Sequence, residues 1–387
     1  MLKSVGLSLA IVSLSAGAAS AAPASRPRPT RTPAKLTTTT IDRVKHQTRF
    51  QRFTHLAPAT KGLIRSGQHD SPSRLRTFAN FSDSFTLGGQ TFPYTMAGRR
   101  PQRGDETRID TSLIMLSFVF DEFADANGNA LVIDSQGITG DVLGSPNFVK
   151  SDYTVGRGQF GDVVQKASFF NVAQRDWHTT LERPRMLTPV TIEVPVGQAQ
   201  VFDIGNGQFV GIVNFDFLFS QLNTILQLEP IKTDELAILV SHNVFADAAL
   251  GFHDAFEVQQ GGRSGIQTYT WTSWLDLEAF GPIFADATTI THEISEWIAD
   301  PFINNATPGW ILPESGGFCQ DNLEVGDPIE LLDTQMFPVT INGHVYHTQN
   351  ETMLSWFTRD VPSKAFGGGY SYPDTTVLTT PSEPCTP

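Results

Sequence analysis

The sequence predicts an α+β fold over residues 76–387: a twisted mixed sheet packed with helices. Three observations carry this. Two nearly continuous apolar runs, SLIMLSFVFDEF at 112–123 and ELAILVSHNVF at 235–245, suit strands buried on both faces. Two segments, within 156–173 and 285–299, repeat apolar residues at helical spacing. The composition is rich in Phe (28), Gly (32) and Pro (24) for 387 residues, which favours strands, turns and long loops over a helical bundle.

Taken in order, residues 1–22 have the pattern of a secretory signal. Lys3 supplies the positive start, Val5 to Leu14 the apolar stretch, and Ala19-Ser20-Ala21 the small-residue cleavage site. No other apolar run is long enough for a membrane span. Residues 23–75 are Pro- and Thr-rich and basic, a linker or a pro-region; the low-complexity part at 23–45 lacks the apolar surface to order itself. The first 75 residues carry 12 Lys/Arg against 2 Asp/Glu, and the rest of the chain 15 against 38. An acidic body repels phosphates and the basic arm has no interleaved aromatics, so nucleic acid is excluded as a partner. Export permits disulfides, and the two cysteines, Cys319 and Cys385, are expected to form one bridge.

From Phe81 the chain reads as ordered structure. Gly88-Gly89 in SFTLGGQTFPYTM marks a hairpin turn. ADANGNALVID at 124–134 holds an Asn-Gly turn before a strand; its oxygen-rich loop lacks the spacing of a calcium-binding hand. Residues 141–153 carry helix signals, with Asp141 as a cap. The glycine-rich loop and helix of 156–173 match neither a P-loop nor a dinucleotide fingerprint. VTIEVPVG and QAQVFDI, at 190–204, are expected to pair with each other, and 209–227 passes from strand to helix. IQTYTWTSWLDLEAF at 266–280 suggests a strand with one wet face. The helix at about 285–299 is expected to be capped by Asp286, Thr288 or Thr289 and stopped by Pro301. Ile290, Ile294, Trp297 and Ile298 form its apolar stripe.

That helix carries the chemistry. His292, Glu293 and Glu296 form an H-E-x-x-E motif, and positions i and i+4 share a helix face one turn apart. His292 and Glu296 can therefore grip one metal ion, with Glu293 placed as general base towards a water. A catalytic site needs about three protein ligands and an open position. Glu324 is favoured as the third, Asp327 as ligand or as acceptor behind it, with the two one turn apart if NLEVGD is helical. Asp321 ranks below them, and His344 and His347 are in reserve. The metal is divalent, zinc first, with manganese, calcium and iron left open by so carboxylate-rich a set. The His253-Asp254 pair is expected to line the cleft.

The segment THEISEWIADPF…GW…EVGDP resembles a group of exported bacterial proteins with the signature H-E-[IL]-x-E-x-x-x-D-P…W…E-[IV]-G-D. The similarity extends to FPYTMAG, GQFGDVVQKASFF and LVSHNVF, and these proteins are in turn similar to zincin-type metallopeptidases. The resemblance implies that the motif helix lies near the centre of the domain and shares one site with the EVGD segment. It places His292 at the first metal ligand and Glu293 at the catalytic carboxylate. Glu296 stands where zincins have their second His, and Phe302 where the metzincin extension has its third. Glu324 is analogous to the downstream glutamate of thermolysin-like enzymes, at longer spacing. The implied function is a secreted or periplasmic metal-dependent peptidase, a monomer meeting a peptide or protein substrate and, once the signal is removed, no membrane. His253, Trp271 and Trp274 are its expected substrate contacts, with TYTWTSW as the cleft-edge strand. The alternative is a non-catalytic extracellular binding or surface domain on the same framework.

Overall fold

The long run at 112–123 becomes the middle of β1, Glu106–Ala124, which is the spine of the main sheet. The computed structural model describes residues 29–36, 76–260 and 263–386. Around β1 lie β2 (Val190–Val194), β3 (Glu235–His242), β4 (Gly251–Gln260) and β5 (Arg263–Trp274), in the order β2-β1-β3-β5-β4. The first four run parallel; β4 turns back antiparallel and ends the sheet. The result is a mixed sheet with helices on both faces, as the α+β expectation requires.

Alternation explains why β1 and β3 read as unbroken apolar runs. Ile114, Leu116, Phe118 and Phe120 of β1, with Ala237 and Leu239 of β3, enter one apolar core. Leu113 and Met115, with Leu236, Ile238 and Val240, enter the other. With both faces covered, neither position class has to be polar. The first face is covered by α1, Phe215–Leu228, through Leu218, Leu222, Ile225 and Leu226, together with a small sheet of residues 34–35, 199–205, 208–213 and 244–246. The second is covered by α2, Thr288–Ala299, through the predicted stripe Ile290, Ile294, Trp297 and Ile298. Phe78 packs on Trp297 with ring centroids 4.8 Å apart.

Several expectations are met and several corrected. The hairpin at Gly88-Gly89 forms between Asn80–Leu87 and Gln90–Ala97. The glycine-rich loop leads into the helix Phe160–Ser168. The disulfide Cys319–Cys385 is present and ties the C-terminal segment to the strand Cys319–Asn322. Helix signals at 141–153 resolve into the short helix Thr139–Gly144 and a strand Ser151–Tyr153. The two strands within 190–204 do not pair: Val190–Val194 joins β1, whereas Ala199–Gly205 pairs with Gln208–Val213 in the smaller sheet. The expected caps of α2 do not cap it. Its N-cap is Ala287, and Asp286, at φ 37°, turns its carboxylate to the Ala287 and His347 amides.

Residues 29–36, within the stretch read as linker or pro-region, lie against the body. Ala34–Lys35 pairs with Ala199–Gly205, the Leu36 amide donates to the Asp203 carbonyl at 2.9 Å, and Arg31 meets Glu122 at 2.9 Å. Backbone pairing to a sheet edge needs little apolar side chain, which is why poor hydrophobicity did not forbid it. The signal-like segment 1–22 and the rest of 23–75 lie outside the described residues. Among the described residues no helix is long and apolar enough to cross a membrane.

Candidate metal centre

All twelve residues of α2 are buried, including Thr288, His292, Glu293, Ser295 and Glu296. A helix usually turns such residues to water. Here the side away from the sheet's apolar core is roofed by the 319–330 segment and the strand β6, His344–Gln349. Two glycines let the parts close. A Cβ on Gly326 would lie 2.7 Å from Cγ of the His292 ring, and one on Gly251 would lie 2.8 Å from Glu293 Cγ. Only glycine leaves room at these approaches.

Glu296 is the centre of the arrangement. Its Oε1 accepts from the amides of Gly326 at 3.1 Å and Asp327 at 3.3 Å. Its Oε2 lies 3.1 Å from His292 Nε2 and 3.6 Å from His253 Nδ1. Each imidazole is oriented from behind. Gln349 Nε2 donates to the Gly326 carbonyl at 2.7 Å, so its Oε1, 3.2 Å from His292 Nδ1, accepts from that nitrogen. His253 Nε2 is 3.2 Å from the Asp300 carbonyl and donates to it. Both rings therefore direct their other nitrogen, His292 Nε2 and His253 Nδ1, inwards, where a metal would take the place of a proton.

Around them stand Glu293, Glu324, Asp327 and Glu330. Three groups of ligand atoms, each mutually within 4.8 Å, are His253/Glu296/Glu324, His292/Glu293/Glu296 and His292/Asp327/Glu330. Glu324 Oε2 is buried without a hydrogen bond, and so are both carboxylate oxygens of Glu351, on the short strand Glu351–Thr352. Buried oxygens in this state are what a cation would satisfy. Burial raises the pKa values of Glu324 and Glu351 well above the usual carboxylate range, and the neighbouring carboxylates raise them further. Burial would lower the pKa of His253, but Glu324, Glu293 and Glu296 outweigh it and push it to about 10. The residues thus fit a divalent ion: imidazole nitrogens and carboxylate oxygens, oriented and converging.

The structure brings together His292, Glu293, Glu296, Glu324 and Asp327 as expected. NLEVGD is not helical: Glu324 follows the strand Cys319–Asn322, and Asp327 opens the one-turn helix α3, Asp327–Glu330. His253 does more than line a cleft, because its ring stands inside the cluster. Its expected pairing with Asp254 is not made; Asp254 accepts from Tyr269 Oη at 3.3 Å, and burial raises its pKa to about 6. Trp271 and Trp274 are not at a cleft edge. They sit on β5, between β3 and β4, and both are buried; Trp271 packs in the core on the far face of the sheet, and Trp274 against Tyr346. The reserve histidines lie outside the cluster, His347 bound to Asp286 at 2.6 Å and His344 tilted against Tyr346 with ring centroids 4.3 Å apart. Asp321 is exposed. Sequence reasoning missed Glu330, Glu351 and Gln349. Their only signal was nearness along the chain, of Glu330 to EVGD and of Gln349 and Glu351 to His347. Compared with known proteins, the chain matches no family model, no curated protein and no solved structure.

Proposed function

We propose that the protein is an exported metal-dependent peptidase. The observation that carries this is the convergence of His292 and His253, from different elements, on Glu296 Oε2, with Glu293 beside both: its carboxylate is 4.0 Å from His292 Nε2 and 3.6 Å from His253 Nδ1. His292, Glu296 and His253 would hold the ion with Glu324 and Asp327. A divalent ion in this cluster supplies Lewis acidity, polarising a carbonyl and bringing the pKa of water towards neutrality. Glu293 takes the proton of the attacking water on a carboxylate oxygen and hands it to the leaving amine. β4 ends the sheet next to the cluster and is the strand an extended peptide would pair with. The signal-like residues 1–22 and the disulfide support export.

One observation favours a second reading, a metal-holding domain without hydrolysis: His292, Glu293, Glu296 and Glu324 are each no more than 6% exposed. Glu293→Gln separates the two. For a peptidase it keeps the metal, seen by elemental analysis, and lowers casein hydrolysis by about 100-fold or more. Wild-type protein that carries metal and cleaves nothing supports the second reading. A metal-free, inactive wild type sinks both.

A further inference from the structure

The cluster holds two triads of ligand atoms that share no residue: His253/Glu296/Glu324 and His292/Asp327/Glu330. The third group, His292/Glu293/Glu296, joins them. The two imidazoles approach Glu296 Oε2 from separate elements, His292 from α2 and His253 from β4. A small divalent ion takes about four to six ligands, and the cluster offers two ring nitrogens and the carboxylates of Glu293, Glu296, Glu324, Asp327 and Glu330. That is more than one ion uses.

An independent observation concerns Glu351. It is 0% exposed, neither of its carboxylate oxygens has a hydrogen-bond partner, and its electrostatic neighbours are His292, Glu296, Glu293 and Asp327. Glu324 Oε2 is in the same state on the opposite triad, 3.9 Å from His253 Nε2. An ion on the His292/Asp327/Glu330 triad would leave Glu324, a ligand of the other triad, without one.

We infer that the protein binds two divalent cations, one on each triad, with Glu296 shared between them. This rests on the cluster being a metal centre and extends the peptidase proposal. Paired ions can stabilise both the attacking and the leaving side of an acyl-transfer reaction. One imidazole and several carboxylates per ion suit zinc or manganese.

The test is metal counting on the purified full chain, stripped with EDTA and dialysed against Zn²⁺. Wild type is expected to hold two zinc per chain. Glu324→Gln and Asp327→Asn are each expected to hold one, and Glu296→Gln fewer than one. One zinc per wild-type chain with peptidase activity overturns the inference and leaves the function standing. Two per chain without activity leaves the inference and removes the function, and none overturns both. A second measurement needs no variant: wild type loaded with two equivalents of Mn²⁺ should give an exchange-coupled electron paramagnetic resonance spectrum. The spectrum of isolated Mn²⁺ would overturn the inference.

Discussion

The two faces of the main sheet are built from alternate residues of the same strands and are covered by one principal helix each, yet they solve different problems. Under α1 the residues buried against the sheet, Leu218, Leu222, Ile225 and Leu226, are all apolar. The helix leaves its other side to water, and its first turn is secured by Asn214, whose Oδ1 accepts from the Phe217 amide at 3.0 Å. Under α2 the apolar stripe is equally good, but every residue is buried, the N-cap has no side-chain bond, and one histidine and two glutamates are sealed inside. A helix selected for stability alone resembles the first. Ionisable groups that are buried and face one another need a compensating charge, so the second face is the one that could hold a cation.

Removing the metal should break this comparison most sharply. A ligand present at 1,000 times its Kd contributes about 4 kcal/mol to the folded state. Thermal unfolding of zinc-loaded protein should therefore shift down markedly on adding EDTA, and the shift should disappear in His292→Ala. An unchanged transition in the wild type would mean that the second face holds its carboxylates without a cation. The first face has a smaller lever. Asn214→Ala should lower stability by about 1 kcal/mol, measured by urea unfolding, and by the same amount with and without EDTA, because the cap bears on α1 alone. A loss that depends on EDTA would couple the faces and weaken the distinction between them.

What could be read from the sequence follows the same division. The strands at 112–123 and 235–245 were legible because long apolar runs have few alternatives, but which residue faces which side was not, since both sides are apolar. The i, i+4 spacing of His292 and Glu296 was legible because it is local to one helix. The place of His253 needed the register of β4 on β5, where it sits opposite Thr270. Glu351 needed the path of the chain after β6. Trp271 and Trp274 were misplaced for a physical reason: Thr268, Thr270 and Thr272 resemble a wet strand face, whereas the structure buries all three. Threonine fits a pleated, packed surface as well as an exposed one.

The smallest effect concerns carboxylates that do have cations, and it sharpens the contrast with Glu324 and Glu351. Glu106, at the start of β1, accepts from Lys150 Nζ at 2.9 Å and from Arg108. The Lys150 hydrogen bond outweighs partial burial, and with Arg108 it lowers the Glu106 pKa from 4.5 to about 2. A carboxylate whose pKa is depressed by folding adds stability above its unfolded pKa and loses it as the pH falls through the folded value. The contribution of this pair should thus be complete above about pH 4.5 and fade towards pH 2. Lys150 is 41% exposed, so solvent screening limits it to roughly 1 kcal/mol or less. Lys150→Met should lower stability by that amount at pH 7, with the difference from wild type shrinking across that window in urea titrations. A difference that stays constant down to pH 2 would show that Lys150 acts through packing of its stem. Glu106 would then no longer serve as the paired counterpart of the buried carboxylates, whose pKa values burial moves the other way.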